Sequence, residues 1–236
     1  MKRFSIVLLT IFSFLALSCS ENEGDPGNSS LTKAADKTTV NLDFPQDNTE
    51  EYIAPTCGPT TYPCPPYGLK TYQIVENFPL IPVGESAELI ADESGIAWMK
   101  DLHKYKEQGF KLILLTISAG WCYWCGVQAD VLASSIADTY ADKVLFLTAV
   151  VQDQNGYDSG ATYAEIYMNQ KNLDGFDNVF LTYDPEYLFQ RYMSIAAFPF
   201  NAWINLETME LMGEDSALAD VNTFTTAITE KLAIVR

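Results

Sequence analysis

Cationic side chains are scarce in this sequence, and histidine occurs once, at His103. The chain has 14 lysines and arginines against 31 aspartates and glutamates, for a formal net charge of -17 at pH 7. Nucleic-acid phosphates need basic neutralisation, so this balance argues against a nucleic-acid partner. It argues equally against docking on anionic lipid through charge. A single histidine also leaves few ligands for a zinc site built from Cys and His.

The N-terminal apolar run, residues 4–17, is too short to cross a bilayer as a helix, but it has the length of a signal-peptide core. It follows two cationic residues and ends in LALSC. Small residues before a cysteine resemble the lipobox of bacterial lipoproteins, which implies cleavage after Ser18 and a lipidated Cys19. Ser20 replaces the Asp of the common inner-membrane retention signal. The predicted location is therefore extracytoplasmic, lipid-anchored to a bacterial membrane, in particular the outer one. The alternative is an ordinary secretory signal with a chance cysteine.

Cysteine is also rare, and the four residues other than the lipidation candidate form two close pairs, Cys57/Cys64 and Cys122/Cys125. Export places them where disulfides persist. The first pair lies in PTCGPTTYPCPPY, residues 55–67, whose prolines favour a rigid loop closed by a structural Cys57–Cys64 disulfide. A second redox pair that passes electrons to the first is the other interpretation.

The rest of the chain divides by composition. Residues 1–18 are the predicted signal peptide, residues 19–54 a polar tether that cannot bury enough apolar surface to fold alone, and residues 55–67 the Cys loop. Residues 68–236 suit one domain. Within that domain we predict helices over 94–109 (Ser94 as N-cap, Gly109 as stop), 123–140, 161–173, 185–193 and 216–235, and strands over 111–118, 144–151, 178–184, 201–205 and 209–214. This alternation predicts an α/β fold with a mixed, mainly parallel sheet and helices on both faces.

Cys122 and Cys125 fall where an apolar strand gives way to a helix. The N-terminus of a helix offers unpaired backbone N–H groups and a partial positive charge. A thiolate at this position is stabilised and its pKa falls, so the first cysteine becomes a nucleophile near neutral pH. The second cysteine, one helical turn further on, is placed to resolve a mixed disulfide.

The segment SAGWCYWC after KLILLTI resembles the thioredoxin superfamily, in which an apolar strand leads into W-C-x-x-C. A second segment, YDPEYLFQRYMSIAAFPFNAWIN, resembles the part of that family that carries a cis-proline between a short helix and a strand. The room between the segments, and YGLKTYQIVENFPL before the first long helix, are similar to the extracytoplasmic TlpA/ResA-like branch, which is related to the AhpC/TSA group. The resemblance covers about residues 66–236 and implies a thioredoxin-like three-layer fold.

The same resemblance implies roles for individual residues. Cys122 would be the attacking thiol and Cys125 the resolving one. Trp121 would pack beside the pair and shape the docking surface. Pro199 would follow a cis peptide bond and present the backbone of Phe198 to a substrate strand. The other interpretations are a surface-capping aromatic for Trp121, core packing for Phe198 and an ordinary trans proline for Pro199.

Three departures from the family limit the mechanism. Thr116 occupies the position of a buried acid that moves protons for the resolving thiol, and it cannot act as a general base at neutral pH. Gln128 replaces a Glu that is frequent in the branch. Water, or an acid from another segment, must then serve. The dipeptide Tyr123-Trp124 suits an apolar partner surface but adds no charge, so the direction of electron flow is open.

The predicted function is thiol:disulfide exchange on a protein substrate, with a further redox donor or acceptor and no organic cofactor. A Cys₄ zinc site would require Cys57 and Cys64 to fold over the second pair. A copper-delivery protein of the SCO type would need three residues between the cysteines and a distal His. A peroxiredoxin would need P-x-x-x-T-x-x-C, and Arg191 is the only arginine of the predicted core. A tethered thioredoxin-fold binding module, with Cys122 and Cys125 as a permanent staple, is the non-enzymatic alternative.

Overall fold

The computed structural model describes residues 57–58, 61–184 and 189–235. The predicted signal peptide, Cys19 and the tether lie outside these residues. The described strands are β1 (Pro79–Pro82), β2 (Ala97–Trp98), β3 (Leu112–Ala119), β4 (Val144–Gln152), β5 (Val179–Tyr183), β6 (Phe200–Asn205) and β7 (Leu211–Asp215). The α-helices are α1 (Glu85–Ile90), α2 (Met99–His103), α3 (Tyr123–Val131), α4 (Ala161–Gln170), α5 (Phe189–Tyr192) and α6 (Val221–Ile234). No helix among the described residues has the length and hydropathy needed to cross a membrane.

The strands form one seven-stranded sheet in the order β2-β1-β5-β4-β3-β6-β7. Within the described residues, β3 pairs in parallel with β4, and β4 with β5. The other four neighbouring pairs are antiparallel. The sheet is therefore mixed, as the sequence predicts, but the expectation of mainly parallel pairing is wrong. Antiparallel pairs outnumber parallel ones because short strands add in the antiparallel sense at both edges of the sheet, including the β6–β7 hairpin.

The two central strands, β3 and β4, are buried along almost their whole length, which explains their nearly continuous apolar sequences. Alternate side chains of β3 point to opposite faces of the sheet. Ile113, Leu115 and Ile117 belong to the main core cluster, together with side chains from α2 and the segment before β1. On the other face, Phe146 of β4 meets Phe224 of α6 edge-on, with ring centroids 6.2 Å apart. Helices therefore cover both faces of the sheet, and the sheet between them supplies side chains to the core.

The segment predicted as one helix over 94–109 is divided. Ser94 does not cap a helix: it lies in a local turn, where its backbone N–H and its hydroxyl both donate to Oδ1 of Asp92. The helix α2 begins later, where the carboxylate of Asp101 accepts the N–H of Trp98 (2.9 Å). A 3₁₀ turn follows α2 and ends at Gly109, which has a φ of 101° and is the predicted stop.

Other boundaries also differ from the expectation. The helix predicted over 123–140 is α-helical only to Val131, after which a π turn and a 3₁₀ turn complete it. Of the segment predicted as a helix over 185–193, the described part is α5. The sequence did not predict β1, since prolines stand at both of its ends and proline argues against a strand.

The Cys loop packs onto the domain that follows it. Tyr62 is buried in the main core cluster, and its hydroxyl donates to the carbonyl oxygen of Val75 (2.8 Å). The described residues of the loop and of the domain belong to one compact unit. The loop thus shares the core of the domain from which composition separated it.

Candidate active site

The junction between β3 and α3 holds the cysteine pair. Gly120 and Trp121 form the turn, and Cys122 is the N-cap of α3, with extended backbone angles (φ −79°, ψ 110°). Cys122 and Cys125 are joined by a disulfide, with their Cα atoms 5.2 Å apart. The backbone N–H of Cys125 donates to Sγ of Cys122 (3.1 Å). One of the unpaired donors of the helix N-terminus is therefore aimed at this sulfur.

The N-terminus of α3 contributes a partial positive charge at the pair. The first turn of α3 carries no acidic residue that would oppose the partial positive charge of the helix N-terminus. Cys122 is 8% exposed and Cys125 is 2% exposed. A partner molecule can therefore reach the first sulfur more readily than the second.

Four aromatic side chains surround the pair and are called the aromatic rim here: Trp121, Tyr123, Trp124 and Phe198. The exposed fractions of the first three are 53%, 74% and 53%. The rings of Trp121 and Phe198 meet edge-on at 5.9 Å, as do those of Tyr123 and Trp124 at 5.2 Å. Large apolar side chains that remain exposed together mark a surface suited to a partner.

The second sequence motif lies beside the first. Phe198 is half-buried and packs against the cluster that Ala119, Cys122 and Cys125 form. Pro199 is buried, and the Phe198–Pro199 peptide bond is cis. The structure therefore brings together the two segments that suggested the family resemblance.

A neutral polar network that the sequence did not reveal lies between α3 and the sheet. Thr116 of β3 pairs in register with Asn201 of β6, so both side chains lie on the same face. Gln128 of α3 donates through Nε2 to Oδ1 of Asn201 (2.7 Å) and to Oγ1 of Thr116 (3.2 Å). Its Oε1 accepts Nδ2 of Asn201 and the backbone N–H of Leu218, each at 2.9 Å. All three side chains are buried, and each of them is uncharged.

A buried tyrosine also reaches the pair from α4. The hydroxyl of Tyr167 donates to the carbonyl oxygen of Cys125 (3.4 Å) and lies 3.1 Å from Oγ of Ser118. Burial is the main cause that raises the pKa of this phenol to about 12. The helix 161–173 was predicted from its pattern, but nothing in that pattern indicated that this tyrosine faces the cysteines.

The second disulfide lies in a different setting. Cys57 and Cys64 are bonded, with Cα atoms 4.9 Å apart, and Cys64 is exposed. Tyr62, between them, meets the ring of His103 edge-on at 5.7 Å. The nitrogens of His103 lie 3.3 Å and 3.2 Å from the carbonyl oxygens of Thr61 and Glu207. His103 is therefore packed against backbone, and the part of the chain that the structure describes contains no cluster of three potential metal ligands.

No protein-family model matches the chain, and no curated protein matches it. Solved structures do. A structure from Bacteroides thetaiotaomicron, provisionally assigned as a protein disulfide isomerase, is 14% identical, covers 72% of this chain and 92% of its own, and has a TM-score of 0.50. One from Chlorobium tepidum, provisionally assigned as thiol:disulfide interchange protein DsbE, is 14% identical over 70% of this chain and 99% of its own, with a TM-score of 0.49. The exposed lipoprotein thioredoxin Etrx1 of Streptococcus pneumoniae is 19% identical over 65% of this chain and 98% of its own, with a TM-score of 0.43.

At these identities the likeness concerns the fold alone. The Bacteroides structure, which has the highest TM-score of the three, shares the arrangement of a mixed central sheet with helices on both faces. The thioredoxin-like α/β fold that the sequence predicts is thereby confirmed.

Proposed function

We propose that this chain is an extracytoplasmic thiol:disulfide oxidoreductase of the TlpA/ResA-like kind, and that it acts on cysteines of a partner protein through Cys122 and Cys125. The observation that carries the proposal is the Cys122–Cys125 disulfide at the N-terminus of α3, ringed by exposed aromatic side chains. A helix N-terminus stabilises the thiolate that forms when this bond opens. The activity provisionally assigned to the Bacteroides structure is of the same class.

Exchange proceeds in two displacements. In the reducing direction, the thiolate of Cys122 attacks one sulfur of a substrate disulfide, so a Cys122–substrate bond forms and the other substrate sulfur leaves as a thiolate. The thiolate of Cys125 then attacks Sγ of Cys122 and releases the second substrate thiolate. The substrate gains two electrons, and the Cys122–Cys125 disulfide is restored. An external dithiol must reduce it again, and in the oxidising direction an external disulfide takes the electrons.

Protons in this scheme are exchanged with water. The polar side chains described on the buried side of the pair, Thr116, Gln128, Asn201 and Tyr167, are neutral at physiological pH. Tyr167 remains protonated because its pKa is raised to about 12. It therefore positions the backbone of Cys125 rather than accepting a proton from its thiol.

Substrate would lie along the aromatic rim. Phe198 packs against the cluster that contains both cysteines, and its backbone is the surface on which we place an extended substrate strand. Trp121, Tyr123 and Trp124 add exposed apolar area to the same surface. The Cys57–Cys64 disulfide has a structural role in this proposal.

The decisive experiment traps the intermediate. Cys125→Ser should accumulate mixed disulfides between Cys122 and protein substrates, because the resolving thiol is missing. The matched control is the double variant Cys122→Ser/Cys125→Ser, which should trap none. Wild type should catalyse the reduction of insulin by dithiothreitol. If Cys125→Ser trapped no protein and wild type gave no turnover, the proposal would fail, and the tethered binding module would be the better account.

The membrane anchor is a separate part of the proposal. Cys19 lies outside the described residues, and the support for an anchor there is the lipobox-like sequence LALSC. Wild type expressed in a bacterium should enter the membrane fraction with a lipid mass on residue 19, whereas Cys19→Ala should lose both. A wild-type N-terminus without lipid would contradict the anchor but leave the exchange chemistry standing.

A further inference from the structure

A groove with a volume of about 380 Å³ begins beside the disulfide. Its walls are formed by Trp124, by the segment that includes Phe198 and Pro199, and by residues 214–217, which comprise the end of β7 and the two residues after it. Phe198 belongs to this wall and also packs against the cluster that contains Cys122 and Cys125. A chain segment whose cysteine reacts at Cys122 would therefore enter this groove with its neighbouring residues.

The charged side chains of the groove lining are Glu214 and Asp215, and none of its lining residues is cationic. Strand pairing explains their position. Asp215 lies opposite Asn201, and Glu214 opposite Ala202, at the start of β6. Because β6 follows Pro199 directly, the end of β7 is carried to the same rim as the cis-proline. The carboxylates thus lie close to the substrate surface through the hairpin register rather than through sequence proximity.

Both residues keep solvent-exposed surface. Glu214 is exposed and Asp215 is half-buried. Asp215 accepts a hydrogen bond through Oδ2 from Nε1 of the buried Trp203 (2.6 Å), which fixes the orientation of the carboxylate. Lys231 of α6 lies against β7, where its Nζ donates to the carbonyl oxygen of Met212 (3.2 Å), and among the described residues no ion pair joins it to Glu214 or Asp215. An apolar groove with a fixed negative rim is complementary to an apolar segment that carries a positive charge.

We propose that this groove selects substrate segments in which a lysine or arginine lies within a few residues of the reacting cysteine. The inference rests on the proposed function and names its substrate class: an extended, cysteine-bearing segment of a partner protein with apolar and cationic neighbours. In an extended strand, residues two apart point to the same side and are separated by about 7 Å. A cation two residues from the cysteine therefore lies on the same side of the strand as the reacting sulfur.

Synthetic peptides test this selection directly. Each peptide carries one cysteine as a mixed disulfide with 2-mercaptoethanol, a flanking Phe, and Lys, Gln or Glu two residues from the cysteine on one side or the other. The reduced Cys125→Ser protein attacks the peptide sulfur, forms a Cys122–peptide disulfide and releases 2-mercaptoethanol. At low salt the second-order rate constant should fall in the order Lys, Gln, Glu, with about a tenfold span between the ends. High salt should shrink that span, because it screens exposed charges.

Matched variants separate a local effect from the overall negative charge of the protein. Adding Glu214→Gln and Asp215→Asn removes both negative charges and should reduce the Lys-to-Glu ratio to about twofold. The amide at position 215 keeps an oxygen that can accept the hydrogen bond from Trp203. Adding Glu88→Gln and Glu93→Gln instead removes the same charge from exposed positions near β1 and β2, at the opposite edge of the sheet, and should leave the ratio unchanged. Single Glu214→Gln gives the test without touching the Trp203 contact.

The outcomes are distinguishable. Equal rates for the Lys, Gln and Glu peptides would overturn the selection while leaving exchange chemistry intact. An equal loss of preference in the Glu88/Glu93 variant would assign it to the overall field and also overturn the selection. If no peptide, including the neutral one, reacted with Cys122, the proposed function itself would fall and the inference with it.

Discussion

The two disulfides join cysteines at almost the same Cα separation, 4.9 Å and 5.2 Å, but their surroundings differ. Cys57 and Cys64 belong to a proline-rich loop that lies outside the described helices and strands. Cys122 and Cys125 open α3, where a backbone N–H is directed at Sγ of Cys122. A buried tyrosine accompanies each pair, but Tyr62 ties its loop to the core whereas Tyr167 contacts the backbone of Cys125 itself.

The difference shows that chemical role follows from what stabilises the opened bond. Reduction of Cys122–Cys125 yields a thiolate that the helix N-terminus favours. Reduction of Cys57–Cys64 yields thiols that belong to no described helix, and it frees a segment that the disulfide had restrained. In the proposed function the first of these bonds therefore opens and closes, and the second remains closed.

The largest test of this contrast concerns activity. Cys122→Ser should lower the rate of insulin reduction by roughly a thousandfold, because the nucleophile is removed. The double variant Cys57→Ser/Cys64→Ser should retain activity within about threefold of wild type, since neither sulfur touches substrate in the proposed scheme.

A relay would reverse the second expectation. If electrons passed from Cys57/Cys64 to Cys122/Cys125, the loop variant should lose turnover with a physiological-type dithiol donor while Cys122 still reacted with peptide disulfides. Parallel assays of insulin reduction and peptide exchange on the same variant would show that pattern. Loss in both assays would instead indicate misfolding, which circular dichroism would reveal.

Stability provides the next test. Removing the first disulfide with Cys57→Ala/Cys64→Ala should lower the free energy of unfolding by about 2 to 3 kcal/mol, because the closed loop no longer restricts the unfolded chain. Urea unfolding monitored by fluorescence measures the change. In glutathione redox buffers, alkylation and mass spectrometry should find Cys122–Cys125 open under conditions that leave Cys57–Cys64 closed. The reverse order of opening would break the comparison.

Sequence reasoning recovered what contiguous patterns encode. The apolar runs of β3 and β4 and the turn residue Gly109 are visible in single segments, and the structure confirms them. The hairpin of β6 and β7 is likewise confirmed. Both motifs of the candidate site, W-C-x-x-C and the segment around Pro199, were visible for the same reason.

What the sequence could not supply depends on register and on local competition. Thr116, Gln128 and Asn201 meet only because β3 and β6 pair in one register beneath α3, which no single segment specifies. Ser94 has the side chain of an N-cap, but its hydroxyl and its backbone N–H both donate to Asp92 in a local turn, and no helix begins there. Glu214 lines the groove because the hairpin pairs β7 with β6, the strand that follows Pro199.

The neutral network gives a sharper test of the cysteine pair. Gln128→Glu removes the two N–H bonds that Gln128 donates to Asn201 and Thr116 and places a carboxylate in a buried site. The free energy of unfolding at neutral pH should fall by about 2 kcal/mol. Gln128→Met, similar in length but without charge, is the control and should cost less at neutral pH than the Glu variant. An unchanged stability of the Glu variant would show that water reaches the network.

The smallest effects compare the two tyrosines. Burial raises the pKa of both phenols, that of Tyr167 from 10.0 to about 12 and that of Tyr62 in the same direction. A folded-state pKa above the unfolded value means that the neutral phenol contributes stability that is fully present below pH 10 and is lost as the pH rises towards 12. Urea unfolding of the oxidised protein should therefore show a decline in stability above about pH 10, weaker in Tyr167→Phe and in Tyr62→Phe.

At neutral pH each variant should lose about 1 kcal/mol of unfolding free energy, because Tyr167→Phe loses the hydrogen bond to Cys125 and Tyr62→Phe loses the one to Val75. Only Tyr167→Phe should also shift the glutathione redox equilibrium of Cys122–Cys125, because only Tyr167 contacts that pair, and an equal shift in Tyr62→Phe would mean that the two disulfides are coupled after all.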